Sequence, residues 1–160
     1  MADFSHLKAH AVTRDTTREY TFNMLEGEPS VIVAPACDDN EDYLNTRLEL
    51  MLAEIPAEEE GGKRKQAAKA AEKLTPELLR RQYEEGRELD RKLLSRACAR
   101  AWGTPPVDVK GKAVVFSADN AYDFFKALPD YMFDPFRHFC GNVLNFAPKP
   151  KADGSALGNS

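Results

Sequence analysis

The residues closest to a reactive pair are His138 and Cys140, in the run "RHFC". A thiolate–imidazole couple needs its side chains within hydrogen-bond reach, and two positions apart on a helix they point to different faces. Cys140 therefore reads as a small buried hydrophobe, the common state of a free cysteine. His6 and His10 stand four apart, the spacing that puts two imidazoles on one helical face. The residues around them lack helical apolar periodicity, and no HExxH-type partner accompanies them. The carboxylates of "DDNED", residues 38–42, lack the alternating Asp/Asn and glycine pattern of a calcium loop and fit a capped helix start instead. No glycine-rich phosphate loop, nucleophile elbow or dinucleotide fingerprint occurs, so no catalytic residue, cofactor or metal is expected, and the chain reads as a non-enzyme.

Charge narrows the partners. With 26 acidic and 22 basic residues the net charge is −4, and no overall positive field attracts phosphate backbones. Nucleic acid is therefore not an expected partner. The one basic run, "KRKQAAKAAEK" at 63–73, has the composition of a solvated helix or linker. Cys37, Cys98 and Cys140 show no paired short spacing, which argues against a disulfide framework or a zinc site and suits a reducing cytoplasm. No membrane partner is expected, because nowhere do eighteen consecutive apolar residues occur, and "MADFSHLKAH" has no signal-like apolar run.

The elements follow from the apolar spacing, and the predicted fold class is α+β: small antiparallel hairpins packed with several helices, one of them long and central. At 160 residues the chain suits one domain, placed at 1–146. Residues 17–36 predict a hairpin, with Tyr20, Phe22 and Met24 alternating, a turn near Gly27, then Val31, Ile32 and Val33. "DDNEDYLNTRLELMLAEI" predicts a capped helix with Leu44, Leu48, Met51, Leu52 and Ile55 in one stripe. Residues 56–74 carry an acidic triplet, Gly-Gly and the basic run, and are expected to form a mobile charged connector.

Thr75 and Pro76 supply an N-cap and a first helical position for a long helix of about seven turns, ending at Trp102-Gly103. "VDVKGKAVVFS" predicts a second hairpin turning at Lys110-Gly111. The two hairpins can join into one sheet, since an isolated ribbon is marginal in water. Ser117 caps the next helix, with Ala121, Phe124, Phe125 and Leu128 inward, and a last helix spans 130–144. Pro135 fits that helix only in its first turn, with Asp134 as the cap. Residues 147–160 read as a disordered tail.

Residues 111–146 hold most of the nine phenylalanines, more apolar side chains than two short helices and a hairpin easily hide. That surplus is expected to form a docking surface for another protein. By apolar excess the contact residues are Phe124, Phe125, Tyr131, Phe133, Phe136 and Phe139, with Leu48, Met51 and Leu52 as a second patch.

The order "EYTFNMLEGEPSVIVAPACDDNEDYLN", a charged helical middle, and "DVKGKAVVFSADNAYDFFKALPDYMFDPFRHFCGNVLNF" resembles the tail assembly chaperones of long-tailed bacteriophages and prophages. The likeness covers both outer thirds and departs in the variable middle and tail. It implies a non-enzymatic helper that binds the tape measure protein, keeps it soluble, promotes polymerisation of the tail tube protein around it, and leaves. It further implies work in the host bacterial cytoplasm, absence from the mature virion, and frequent production of a longer frameshifted form. Self-association is compatible with the role. Masking a long apolar-striped helix calls for groove-forming helices with exposed aromatic or methionine side chains, which agrees with the apolar surplus. Two other readings fit the same residues: a structural virion component, such as a minor tail or head–tail connector protein, or a bacterial adaptor whose basic run binds an acidic partner.

Overall fold

The computed structural model describes residues 1–54 and 73–148, so most of the 56–74 connector, Ile55 and nearly all of the 147–160 tail lie outside the described residues. The first hairpin forms where the alternation predicts it, except that its first strand stops at Thr21 and Met24 lies exposed in the turn. β1 (Arg18–Thr21) pairs antiparallel with β2 (Ser30–Val33), Arg18 opposite Val33 and Thr21 opposite Ser30. The turn passes through Gly27 at φ +77°, a left-handed conformation that glycine adopts without a Cβ penalty.

The third strand does not come from the second hairpin. β2 is buried at Ser30, Val31 and Val33, so its free edge would leave buried backbone groups unpaired. The chain after the long helix supplies them with partners. α2 (Pro76–Leu93) opens with Thr75 as N-cap, widens into a π-turn at Leu94–Cys98, and gives way to β3 (Ala99–Trp102). The sheet order is β1-β2-β3, all antiparallel. The Ala34 N–H donates to the Cys98 carbonyl at 2.9 Å, and Gly103 N–H to the Ser30 carbonyl at 2.9 Å. "ARAW" therefore extends beside β2, although its alanines favour a helix; pairing overrides propensity. Ile32 faces Ala101 and Val33 faces Ala99, which leaves Arg100 as the extra residue of a bulge. Its guanidinium reaches the Asp42 carboxylate at 2.9 Å.

The predicted second hairpin is reduced to a turn outside this sheet. Asp108 Oδ1 accepts from the N–H groups of Lys110 and Lys112, and one isolated bridge joins Val107 to Ala113.

α1 (Glu41–Ala53) starts at Asn40, which is wholly buried. Its Oδ1 accepts from the N–H groups of Asp42 and Tyr43, while Nδ2 donates to the Pro35 and Ala97 carbonyls at 2.9 and 3.4 Å. One side chain thus caps α1 and ties it to both the β2 exit and the π-turn.

α3 (Ala118–Ala127) begins at Ser117, whose hydroxyl accepts from the Asn120 N–H as predicted. α4 (Asp130–Gly141) follows Pro129 directly, so Pro135 lies inside the helix and Asp134 is not a cap. The carbonyl that Pro135 leaves unpaired belongs to Tyr131, an exposed residue that water reaches. Asp134 instead receives two hydrogen bonds from Arg87 of α2, at 3.1 and 3.2 Å. Arg137 of α4 binds Asp90 of α2 at 2.6 Å, and the Arg91 guanidinium stands 5.2 Å from the Phe133 ring centre.

One continuous core runs from Val12 to Phe146. Phe136 stands at its centre, with ring centres of Tyr20, Phe22, Phe125 and Phe133 between 4.9 and 6.3 Å away. Burying each phenylalanine contributes about 1.5–3 kcal/mol, more than a partly exposed ion pair supplies. The aromatic segment is therefore what holds the domain together.

Candidate docking site

None of the residues singled out for reactivity assembles into a reactive centre. Cys140 is fully buried and burial pushes its thiol well up, while His138 is exposed. Burial likewise pushes Cys98 up to about 12. Both thiols are inert toward nucleophilic chemistry at neutral pH. His6 and His10 occupy a 3₁₀ segment, Ser5–His10, and three residues per turn set positions four apart about 120° from each other. In the "DDNED" cluster Asn40 is the cap, Asp42 is bound by Arg100, and Asp38 lies 3.4 Å from Arg47. Among the described residues no group of three or more His, Cys, Asp or Glu is arranged to hold a metal. The basic run at 63–73 lies almost wholly outside the described residues. No described helix is long and apolar enough to cross a membrane.

The predicted contact residues divide sharply. Phe125, Phe133 and Phe136 are fully buried, so a partner docking on this fold meets none of them. The reason is geometric: α3 and α4 are enclosed by the hairpin residues Tyr20 and Phe22 on one side and by α2 on the other. Phe124 and Phe139 are half-buried, Phe124 with its ring centre 5.2 Å from Phe22 and 5.5 Å from Trp102, Phe139 5.1 Å from Tyr20. Of the aromatic patch only Tyr131 is well exposed, at 61%.

The second patch behaves differently. α1 buries none of its residues, and Leu48, Met51 and Leu52 are 45%, 54% and 65% exposed. Leu48 and Leu52 are one turn apart on a shared face, with Met51 beside them. Glu41 and Glu49 on the same helix and Glu54 at its C-cap are exposed and have no hydrogen-bond or ion-pair partner from their side chains among the described residues. Arg47, its only cation, is occupied with Asp38 and lies over the Tyr43 ring at 5.7 Å. Between α1 and α2 runs a shallow groove of about 420 Å³, its apolar lining Leu50, Ala53 and Leu89 and its charged lining Glu54, Glu85, Glu88 and Lys92.

A further exposed pair, Leu79 and Tyr83 on the first turns of α2, is absent from the contact residues expected from the sequence. The signal was present in the neighbouring residues: Arg80, Arg81, Gln82, Glu84 and Glu85 surround the pair with polar side chains. Leu78 alone is half-buried before Gly86, and from Gly86 onward every residue of α2 is half-buried or buried.

Compared with protein-family models, with curated proteins and with solved structures, the chain matches none.

Proposed function

We propose that this protein is a non-enzymatic tail assembly chaperone of a long-tailed bacteriophage or prophage. It binds the tape measure protein through an exposed apolar helix face, keeps it soluble while the tail tube protein polymerises around it, and departs. The observation that carries the reading is the open face of α1, where Leu48, Met51 and Leu52 remain exposed. Three large apolar side chains on one exposed helix suit the transient covering of another helix. The sequence resemblance supplies the identity of the client. In this reading the buried aromatics build the scaffold, and contact passes to Leu48, Met51, Leu52 and Tyr131. The protein acts in the host cytoplasm.

The test is its abundance, by quantitative mass spectrometry, in an induced or infected lysate and in particles purified from that lysate. Abundance in the lysate with absence from particles is the expected result. Retention at a fixed copy number would make it a virion component and overturn the chaperone reading.

A further inference from the structure

We infer that the exposed face of α1 docks an amphipathic helix whose apolar stripe is flanked by lysine or arginine. This deepens the chaperone reading and rests on it only for the identity of the client. Leu48, Met51 and Leu52 offer the apolar strip, and methionine beside leucine tolerates varied partner shapes. The charge around the strip has one sign. Glu41, Glu49 and Glu54 stand unpaired among the described residues, and Arg47, the one cation of α1, is engaged with Asp38. A helix bordered by cations can lay its apolar stripe on the leucines and bring the charged ends of its lysines or arginines to these carboxylates. An acid-bordered helix is repelled. A second copy of α1 is disfavoured for the same reason, because it sets carboxylates against carboxylates.

The experiment uses the full chain and three labelled peptides of about 20 residues, long enough for a stable helix. One carries leucine at positions i, i+3, i+4 and i+7 with lysine elsewhere. Its twin has glutamate for lysine, and the third is a scramble of the leucine–lysine peptide without helical spacing. In fluorescence anisotropy at about 0.15 M salt, the leucine–lysine helix should bind about tenfold or more tighter than either control. Leu48→Ser with Leu52→Ser should lose about tenfold or more in binding with thermal unfolding unchanged. Glu49→Lys with Glu54→Lys should shift preference toward the glutamate twin.

Equal binding of the scramble would reduce the effect to bulk charge and overturn the inference, as would wild-type binding by the leucine double variant. If sedimentation shows a dimer that the leucine variant abolishes, the face belongs to a second copy. If Lys63→Glu, Lys65→Glu and Lys69→Glu together raise peptide binding several-fold, the chain's own basic run competes for the face, which also overturns it. The two proposals fail separately: retention in particles removes the chaperone reading and leaves the docking face, whereas loss of selective peptide binding removes the face alone.

Discussion

In α3 and α4, Phe125, Phe133 and Phe136 are wholly buried, whereas in α1, Leu48, Met51 and Leu52 stand 45–65% exposed. Both regions are rich in large apolar side chains. They differ in their neighbours. α3 and α4 are held between the hairpin aromatics and α2, with Arg87–Asp134 and Arg137–Asp90 closing the outer side. α1 is anchored chiefly at its start, by Asn40 and Asp42, and its later turns face the α2 groove on one side only. Exposure is set by how many elements surround a helix, and apolar count alone does not report it.

The comparison breaks most visibly if the aromatics are not core. Phe133→Asp with Phe136→Asp should abolish folding, seen as loss of cooperative thermal unfolding, because both carboxylates would enter a closed apolar site. A folded, soluble double variant would return these residues to the surface. Phe136→Ala alone should cost about 3–5 kcal/mol in denaturant titration, given its place among four rings.

Asn40 tests what anchors α1. Asn40→Ala should cost about 2 kcal/mol, through loss of the cap and of the donor to the buried Pro35 carbonyl. Asn40→Asp keeps the cap acceptor but sets a carboxylate oxygen against that carbonyl. It should be at least as destabilising; a neutral Asn40→Asp would mean that capping alone matters.

The outer clamp should count for less. Arg87→Met should cost about 1 kcal/mol at neutral pH, since both partners are partly exposed. The Arg87 guanidinium holds the Asp134 carboxyl below the usual aspartate value, so the folded state favours its charged form. That contribution is complete above the ordinary pKa of about 3.9 and is lost as pH falls through the lower folded-state value. Arg87→Met should therefore flatten the acid limb of the stability curve below about pH 4, and an unchanged limb would assign the acid sensitivity elsewhere.

The smallest effect belongs to the exposed face. Leu52→Ser should change stability by no more than about 0.5 kcal/mol. A loss of several kcal/mol would show that something covers α1 in solution.

The first hairpin, the capped start of α1 within residues 38–42, the Thr75 and Ser117 caps and the inward positions of α3 were legible because each follows from contacts within a few residues. Alternation, capping oxygens and a turn glycine act locally. The switch at Cys98 was not legible, because alanine and arginine there favour continued helix and the strand forms only to satisfy β2. Pro135 was misplaced for a related reason: α4 starts at Asp130 to bring Phe133 inward and Asp134 to Arg87, and the helix accepts the lost hydrogen bond on its wet side.

For the site, composition identified both apolar patches but could not rank them. Sequence by itself determined the α+β class, the local elements and which segments are apolar, since these depend on periodicity and capping along the chain. Tertiary structure alone decided the third strand and which patch stays open. Both depend on which distant residues reach a given backbone edge or helix face, and that information resides in the packing of the whole chain.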